Sequence, residues 1–357
     1  MGAEGTGRFA AAKPQNWQTF RQVLAKESQR AMTNPFVTLA DIEAAHTRIN
    51  KRIRRTFTNT SQSLSKKIGH PVYLKLEHQQ ITGSFKLRGA TNAVLSLSEE
   101  EHARGIIAVS TGNHGRGLAY AAKTAGTSAT ICISELVPQA KLDGIAALGA
   151  DIRIIGRSQD EAQNEVDRLV AEKGMTMIPP FDHPAVIAGQ GTLGLEILDD
   201  VPDVECVLVQ LSGGGLISGV AAAIKAKRPQ TRIIGISMER GAAMHASLKA
   251  GHPVEVEELP TLADSLGGGI GLNNRLTFAM TRALVDDVVT LSEAEIADGI
   301  RHCYSQEAQI VEGSGAVGVA AILAGKISAA GPVVTILSGG NIGLADHQRI
   351  VCGGDNE

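Results

Sequence analysis

The chain has 357 residues, 43% of them hydrophobic, which is long for one compact core and suits two modest domains. Its formal net charge is −3, with no basic stripe and no acidic tail, so nucleic acid is not an expected partner. No run approaches the roughly 18 apolar residues of a membrane helix, and no charged-then-apolar secretory pattern opens the chain, so no membrane association is expected. Cys132, Cys206, Cys303 and Cys352 are far apart and form no C-x-x-C pair, which argues against zinc and thiol-redox chemistry. Three of them lie in apolar or helix-like surroundings and read as small buried hydrophobes. A reducing, cytoplasmic setting fits this usage.

In chain order, residues 1–32 stand apart as an N-terminal arm. They begin Gly- and Ala-rich, "MGAEGTGRFAAAKPQ", then become polar and helix-like, "NWQTFRQVLAKESQR". Three readings are open: a mobile arm, a start assigned too early with Met32 opening the compact part, and a packing helix at an oligomer interface. The next notable stretch is "ITGSFKLRGA" at 81–90. A lysine is ordinarily a solvated surface charge, but the flanks of Lys86 argue otherwise. Gly83 and Ser84 precede it on a turn, Phe85 adjoins it, and Gly89 and Ala90 follow on a helix-like run. Burial beside an aromatic ring disfavours an ammonium and lowers its pKa, and the neutral amine is a nucleophile able to form a Schiff base.

From residue 105 short apolar runs alternate with helix-like segments. "GIIAV" precedes a helix over 113–125, "SATICI" precedes a helix opening at Pro138, "ADIRIIG" precedes an amphipathic helix over 159–172, and "MTMIP" closes the set. A second set begins with "VECVLVQLSGGG" at 204–215, continues through an Ala-rich helix around 220–226 to "TRIIGISM", and includes a later strand in "GPVVTILSGGN" at 331–341. This rhythm predicts parallel strands joined by crossover helices, in two doubly wound α/β units. The chain closes soon after the last strand, so no appended regulatory domain is expected.

Ligands of open parallel sheets bind beyond the carboxyl ends of strands, where four motifs fall. "SGGGL" joins a strand to a helix, and its Gly213, Gly214 and Gly215 would let backbone N–H groups approach an anion. It reads as a phosphate cup or as an ordinary strand-to-helix turn. It is neither a dinucleotide fingerprint, since the third glycine of G-x-G-x-x-G would fall on Ser218, nor a P-loop. "STGNHGRG" offers Ser110, Thr111 and Asn113 at a helix start, for a ligand carboxylate or for simple N-capping. His114, taken alone, reads as a satisfied structural histidine. "LSGGNIG" places Ser338 and Asn341 near a strand tip. In "VEGSGAVG", Glu312 is either a helix-start carboxylate favoured by the dipole or a site residue. A lysine, a phosphate cup and a carboxylate-binding turn together point to pyridoxal phosphate and an amino-acid substrate.

The motifs "GSFKLRGA", "STGNHGRGLAYAA", "DHPAVIAGQGTLGLEI", "SGGGLISG", "VEGSGAVG" and "LSGGNIG", in this order, resemble those of threonine/serine dehydratases and serine racemase. These are fold-type II pyridoxal-phosphate enzymes related to the tryptophan synthase β subunit. Within that family, "STGNHGRG", "SMERGAAM" and "LADSLGGGIGLNNR" are most similar to dehydratases of hydroxyectoine utilisation. The resemblance implies a large domain of 33–104 and 183–357 with a small domain, 105–182, inserted in it, and commonly a homodimer. It implies that Lys86 carries the cofactor as a Schiff base, with Phe85 packing near its ring. Asn113 would bind the phenolic oxygen, Gly213, Gly214, Gly215 and Leu216 the phosphate, and Ser338 the pyridine nitrogen, with Glu312 in the same cofactor site. Ser110, Thr111, Asn113 and His114 would line the substrate carboxylate.

Three departures from the family pattern matter. Thr111 stands where the racemase has a serine that reprotonates the opposite face of Cα. Ser237, Gly241 and Ala243 replace a cation site, so no metal is expected there. Ser265 follows Asp264 where many relatives have "ADG", and would narrow the pocket or add a hydroxyl contact. The expected reaction is elimination of water from a β-hydroxy amino acid, with Lys86 removing the Cα proton. The alternatives are a serine or threonine dehydratase with some racemase activity, and an amino-acid-sensing protein on the same fold.

Overall fold

A computed structural model of the chain describes residues 36–353, except Thr111, Pro138 and the side chains of Ala140 and Lys141. The arm at 1–32, the Thr111 hydroxyl and the helix start at Pro138 therefore lie outside the described residues. Among the described residues no helix is long and apolar enough to cross a membrane.

Ten strands form two sheets within the described residues: β1 (Thr58–Ser61), β2 (Val72–Lys75), β3 (Ile106–Val109), β4 (Ala129–Ile133), β5 (Asp151–Ile154), β6 (Thr176–Met177), β7 (Cys206–Gln210), β8 (Arg232–Met238), β9 (Asp287–Leu291) and β10 (Val333–Ile336). The six-stranded sheet has the order β1-β2-β10-β7-β8-β9, and the four-stranded sheet β5-β4-β3-β6. Every pairing is parallel except β1 with β2. That antiparallel edge departs from the all-parallel expectation. "TNTS" is short and polar, and an edge strand with one solvated face needs no apolar run.

The inner strands are apolar on both faces because each face is covered by helices. In β7 the two-residue period sends Cys206 and Leu208 into one core and Val207 and Val209 into the other. The first core is closed by helices Glu293–Ser305 and Gly313–Leu323, the second by Pro184–Asp200 and Gly215–Lys227. In β3, Ile106 and Ala108 face helix Asn113–Ala125, while Ile107 and Val109 face Gln159–Lys173. Cys132, Cys206 and Cys303 are buried in these cores, and burial pushes the Cys132 thiol up to about 11 and that of Cys206 to about 12.

The parallel register brings the carboxyl ends of β2, β10 and β7 to one edge, with Ile336 opposite Lys75 and Thr335 opposite Leu208. Beneath that edge lies a buried ion network. The Arg88 guanidinium donates to Glu77 through Nε and Nη2, both at 2.8 Å, and to Glu196 through Nη1 and Nη2 at 2.7 and 2.9 Å. Lys75 Nζ joins Glu196 at 2.9 Å and Asp200 at 3.0 Å. Thr56 Oγ1 donates to Glu77 at 2.5 Å. Burial works against the Arg88 charge, but the two carboxylates outweigh it and its pKa is raised. Burial likewise opposes the Glu196 charge, and Arg88 and Lys75 overcome it, so its pKa lies below the ordinary 4.5.

Replacing Arg88 by Met leaves the buried Glu77 carboxylate without its cation and Glu196 with Lys75 alone. The expected loss of folding stability is about 3–5 kcal/mol, read from the denaturant midpoint. Because the Glu196 pKa is depressed on folding, its contribution is complete above 4.5 and drains away as pH falls through the lower folded value. Acidification is expected to lower the unfolding midpoint, and to lower it less in Glu196→Gln.

Candidate active site

Lys86 is the first residue of helix Lys86–Leu95, reached from β2 through the turn at Glu77–Gln79 and the loop that follows. This loop is zipped to the exit of β10. Phe85 N–H donates to the Ser338 carbonyl at 3.0 Å, Gly340 N–H to the Gly83 carbonyl at 3.0 Å, and Ser84 forms an antiparallel bridge with Gly339. Arg88, two residues beyond Lys86, fixes the helix from below. The residue is half-buried, but its amine end is enclosed. Nζ donates to the Pro180 carbonyl at 2.9 Å and lies 5.5 Å from the centre of the Phe85 ring. Burial pulls the amine down to about 8, with Glu312 pulling the other way.

The start of helix Asn113–Ala125, at the carboxyl end of β3, meets the start of Gly313–Leu323 here. Asn113 Nδ2 donates to Glu312 Oε1 at 2.8 Å, and Asn113 Oδ1 accepts from Asn341 Nδ2 at 2.6 Å. Glu312 occupies the N-cap position without a side-chain capping bond, and its carboxylate reaches across to Asn113. Ser110 Oγ accepts from Gly115 N–H at 2.9 Å, which is the capping role. His114 is buried, its Nε2–H donates to the Ile178 carbonyl at 2.8 Å, and its Nδ1 has no hydrogen-bond partner among the described residues. Burial, and after it the Lys86 cation, push His114 down to about 3, so the ring is neutral at neutral pH.

Gly213, Gly214 and Gly215 close β7 and open helix Gly215–Lys227. Gly214 has φ +87°, and a Cβ on Gly213 would lie 2.2 Å from the Phe181 ring, so side chains are excluded from the loop. The first bond of this helix start runs from Ser218 N–H to the Gly214 carbonyl, leaving the N–H groups of Gly215, Leu216 and Ile217 as free donors of the terminus. The segment Pro180–Phe181–Asp182 joins this loop to Lys86. Pro180 takes the amine, Phe181 packs on the glycines, and the Asp182 carboxylate accepts from the N–H groups of Arg275, Leu276 and Thr277 at 2.6, 2.9 and 2.8 Å.

The sequence profile described as pyridoxal-phosphate dependent enzyme matches residues 49–339. The chain belongs to the pyridoxal-phosphate-dependent enzyme family. It is 60% identical over 318 residues to a Sinorhizobium fredii protein provisionally named threonine dehydratase, covering 89% of this chain and 96% of that one. It is 44% identical over 316 residues to an L-threonine ammonia-lyase of Thermotoga maritima, covering 88% of this chain and 78% of that one. The structure of maize serine racemase superimposes with a TM-score of 0.83 at 34% identity, covering 89% and 97% of the two chains. The fold is thus fold-type II, the cofactor is pyridoxal phosphate, and the protein is an ammonia-lyase of the threonine dehydratase type.

Of the three departures noted in the sequence, those at Ser237 and Ser265 lie on described residues of this pyridoxal-phosphate enzyme. Ser237 is buried with Oγ 3.5 Å from Met238 Sδ, and among the described residues no group of three or more His, Cys, Asp or Glu could hold a metal. Ser265 is exposed, and its hydroxyl turns to the Asp264 carboxylate at 3.3 Å. A separate cluster joins Ser63 Oγ to His302 Nε2 at 2.8 Å, but Glu307 faces the same ring nitrogen at 3.4 Å and accepts from both Ser61 and Ser63. A hydrolytic triad needs the carboxylate on the other ring nitrogen, so this cluster is structural.

The opposing pull of Glu312 gives a test in the cofactor-free protein. Glu312→Gln is expected to lower the Lys86 pKa below about 8, so its modification by an amine-directed reagent sets in at lower pH. Peptide mass mapping across a pH series reads the midpoint. An unchanged or raised midpoint contradicts the electrostatic account.

Proposed function

We propose that this enzyme converts a β-hydroxy amino acid into ammonia and a 2-oxo acid by removing the Cα proton and expelling the β-hydroxyl as water. Water is released in the elimination and consumed when the resulting imine hydrolyses, so the net products are the oxo acid and ammonia. The observation that carries the proposal is the enclosed Lys86 amine, lowered to about 8 at a helix start that also meets Glu312, Asn113 and the exit of β10.

The residues present fit the cofactor. The glycine loop excludes side chains and leaves helix-terminal N–H donors for a phosphate. The buried hydroxyls of Ser84 and Ser314 have no partner among the described residues, which suits a polar group beside them. Pyridoxal phosphate, when bound, supplies the conjugated system that accepts the electrons left when a Cα–H bond breaks. Lys86 would hold its aldehyde and Phe85 would pack near its ring. Asn113 would bind its phenolic oxygen and Ser338 its pyridine nitrogen, with Glu312 alongside. Gly213, Gly214, Gly215 and Leu216 would bind its phosphate. Ser110, Thr111, Asn113 and His114 would receive the substrate carboxylate. The Lys86 amine would be the base that takes the Cα proton, and a pKa of about 8 leaves a useful neutral fraction near neutral pH.

Two substrate readings follow. The similarity of "STGNHGRG", "SMERGAAM" and "LADSLGGGIGLNNR" to hydroxyectoine-utilisation dehydratases supports a hydroxylated 2,4-diaminobutyrate-type substrate. The relatives named for threonine support threonine or serine. The same reading takes 105–182 as the small domain, 33–104 with 183–357 as the large one, and the active form as a cytoplasmic homodimer.

Borohydride reduction of the cofactor-loaded protein is expected to leave the pyridoxyl adduct on Lys86, found by peptide mass mapping. Lys86→Ala is expected to lose both the cofactor's absorption band and turnover. An adduct on another lysine overturns the assignment. Release of ammonia and oxo acid from serine, threonine, 3-hydroxyaspartate and 3-hydroxy-2,4-diaminobutyrate separates the substrate readings. Highest kcat/KM on the diamino acid supports the first, preference for threonine or serine the second, and no turnover of any sinks the dehydratase proposal.

A further inference from the structure

We propose that Asn341 is a positioning residue that decides which end of the Asn113 amide faces the cofactor. The inference rests on the reading that Asn113 meets the cofactor's phenolic oxygen. A carboxamide has a donor end and an acceptor end of nearly the same shape, so its orientation has to be imposed by its neighbours. Here it can be traced from a group with no choice. The Thr82 carbonyl can only accept, and Asn341 Nδ2 donates to it at 3.0 Å. The second hydrogen of the same nitrogen goes to Asn113 Oδ1 at 2.6 Å. With Oδ1 claimed, Asn113 turns Nδ2 toward Glu312 Oε1 at 2.8 Å, and a carboxylate again can only accept. Both ends of the chain of bonds therefore require the same orientation. One hydrogen on Asn113 Nδ2 has no partner among the described residues, and it is a donor rather than a lone pair.

Asn341 is itself wedged in place. Gly83 has φ +79°, and a Cβ there would lie 2.5 Å from Asn341 Oδ1, while Gly340 N–H binds the Gly83 carbonyl at 3.0 Å. One amide thus joins the loop that carries Lys86, the exit of β10 and the start of helix Asn113–Ala125. An aspartate at 341 would set acceptors against the Thr82 carbonyl and Asn113 Oδ1. Relief comes if the Asn113 amide turns over, which then presents its oxygen to Glu312 and to an anionic ligand oxygen. The aspartate is therefore worse than simple removal of the side chain.

The test is a double-mutant cycle on cofactor-free protein titrated with pyridoxal phosphate. The readouts are the dissociation constant and the pH midpoint of the bound cofactor's absorption change. Asn341→Asp is expected to weaken binding by about tenfold and shift the midpoint, with Asn341→Ala costing about threefold. In an Asn113→Ala background, Asn341→Asp is expected to change binding by less than about twofold, because the residue it acts through is gone. Equal effects of Asn341→Asp in both backgrounds overturn the inference. If Asn113→Ala alone changes neither readout, the reading of Asn113 fails and takes the inference with it. Thermal unfolding of each cofactor-free variant separates misfolding from these outcomes. If Asn341→Asp does not fold, Asn341→Ala carries the same cycle.

Discussion

The Arg88 guanidinium holds the Lys86 helix in register with the rest of the molecule. Its donors are shared between Glu77, on the turn after β2, and Glu196, on helix Pro184–Asp200. Lys75, at the end of β2, completes the arrangement through Glu196 and Asp200. Both flanks of the site depend on these two carboxylates. Glu77 precedes the loop that delivers Lys86. Glu196 lies on the helix that follows directly from Pro180, Phe181 and Asp182. A buried ion pair adds little net stability over a well-packed apolar substitute, but breaking it leaves an uncompensated charge and is costly. The network therefore acts chiefly to permit one arrangement of three chain segments and penalise others. That matters for a residue whose amine must reach a fixed point.

Above that clamp, the chemistry depends on a balance of burial against charge. Enclosing the Lys86 amine lowers its pKa, and Glu312 limits the fall, so the group settles at about 8 and not far below. A much lower value would give an amine too weak as a base, and a much higher one an amine locked as its conjugate acid. His114 shows the same balance from the other side. It is buried, it lies within reach of the Lys86 charge, and it has one nitrogen committed to the Ile178 carbonyl. It stays neutral and spares the site a competing cation.

Much of the scaffold was legible in the sequence, because apolar strands buried on both faces leave an unmistakable rhythm. The helix expected at 113–125 is Asn113–Ala125, and that at 159–172 is Gln159–Lys173. The Ala-rich helix placed around 220–226 is longer, Gly215–Lys227, because its glycine-rich first turn is weak in helix propensity and is formed by packing. The lysine and the strand-end loops were legible for chemical reasons. The residues that hold them were not. Neither Arg88, around which Glu77 and Glu196 close from 11 and 108 residues away, nor Asp182, which binds backbone 93 to 95 residues later, is singled out from the sequence. Asn341 lies 228 residues from Asn113. Such pairings exist only after two sheets have folded, and no local periodicity encodes them.

The two halves of the site are consequently held by bonds of different kinds. On one side Lys86 is fixed by a multiply charged, fully buried clamp and by main-chain bonds to β10. On the other, Asn113 and His114 come from the four-stranded sheet. Asn113 is tied to the six-stranded sheet's side by its hydrogen bonds to Asn341 and Glu312, worth about 1 kcal/mol net, or up to about 3 where the charge takes part, while His114 bonds to the Ile178 carbonyl just beyond β6. Helix Lys86–Leu95 bridges them sterically, since a Cβ on Gly117 would sit 3.3 Å from the backbone of Lys86. The role proposed for Lys86, as a base that takes a proton from carbon, needs the rigid half, because a misplacement of about 1 Å costs of order a hundredfold in rate. The ligand-facing role proposed for Asn113 needs direction more than force. A short chain of amides anchored on a backbone carbonyl supplies direction without adding charge beside the lysine.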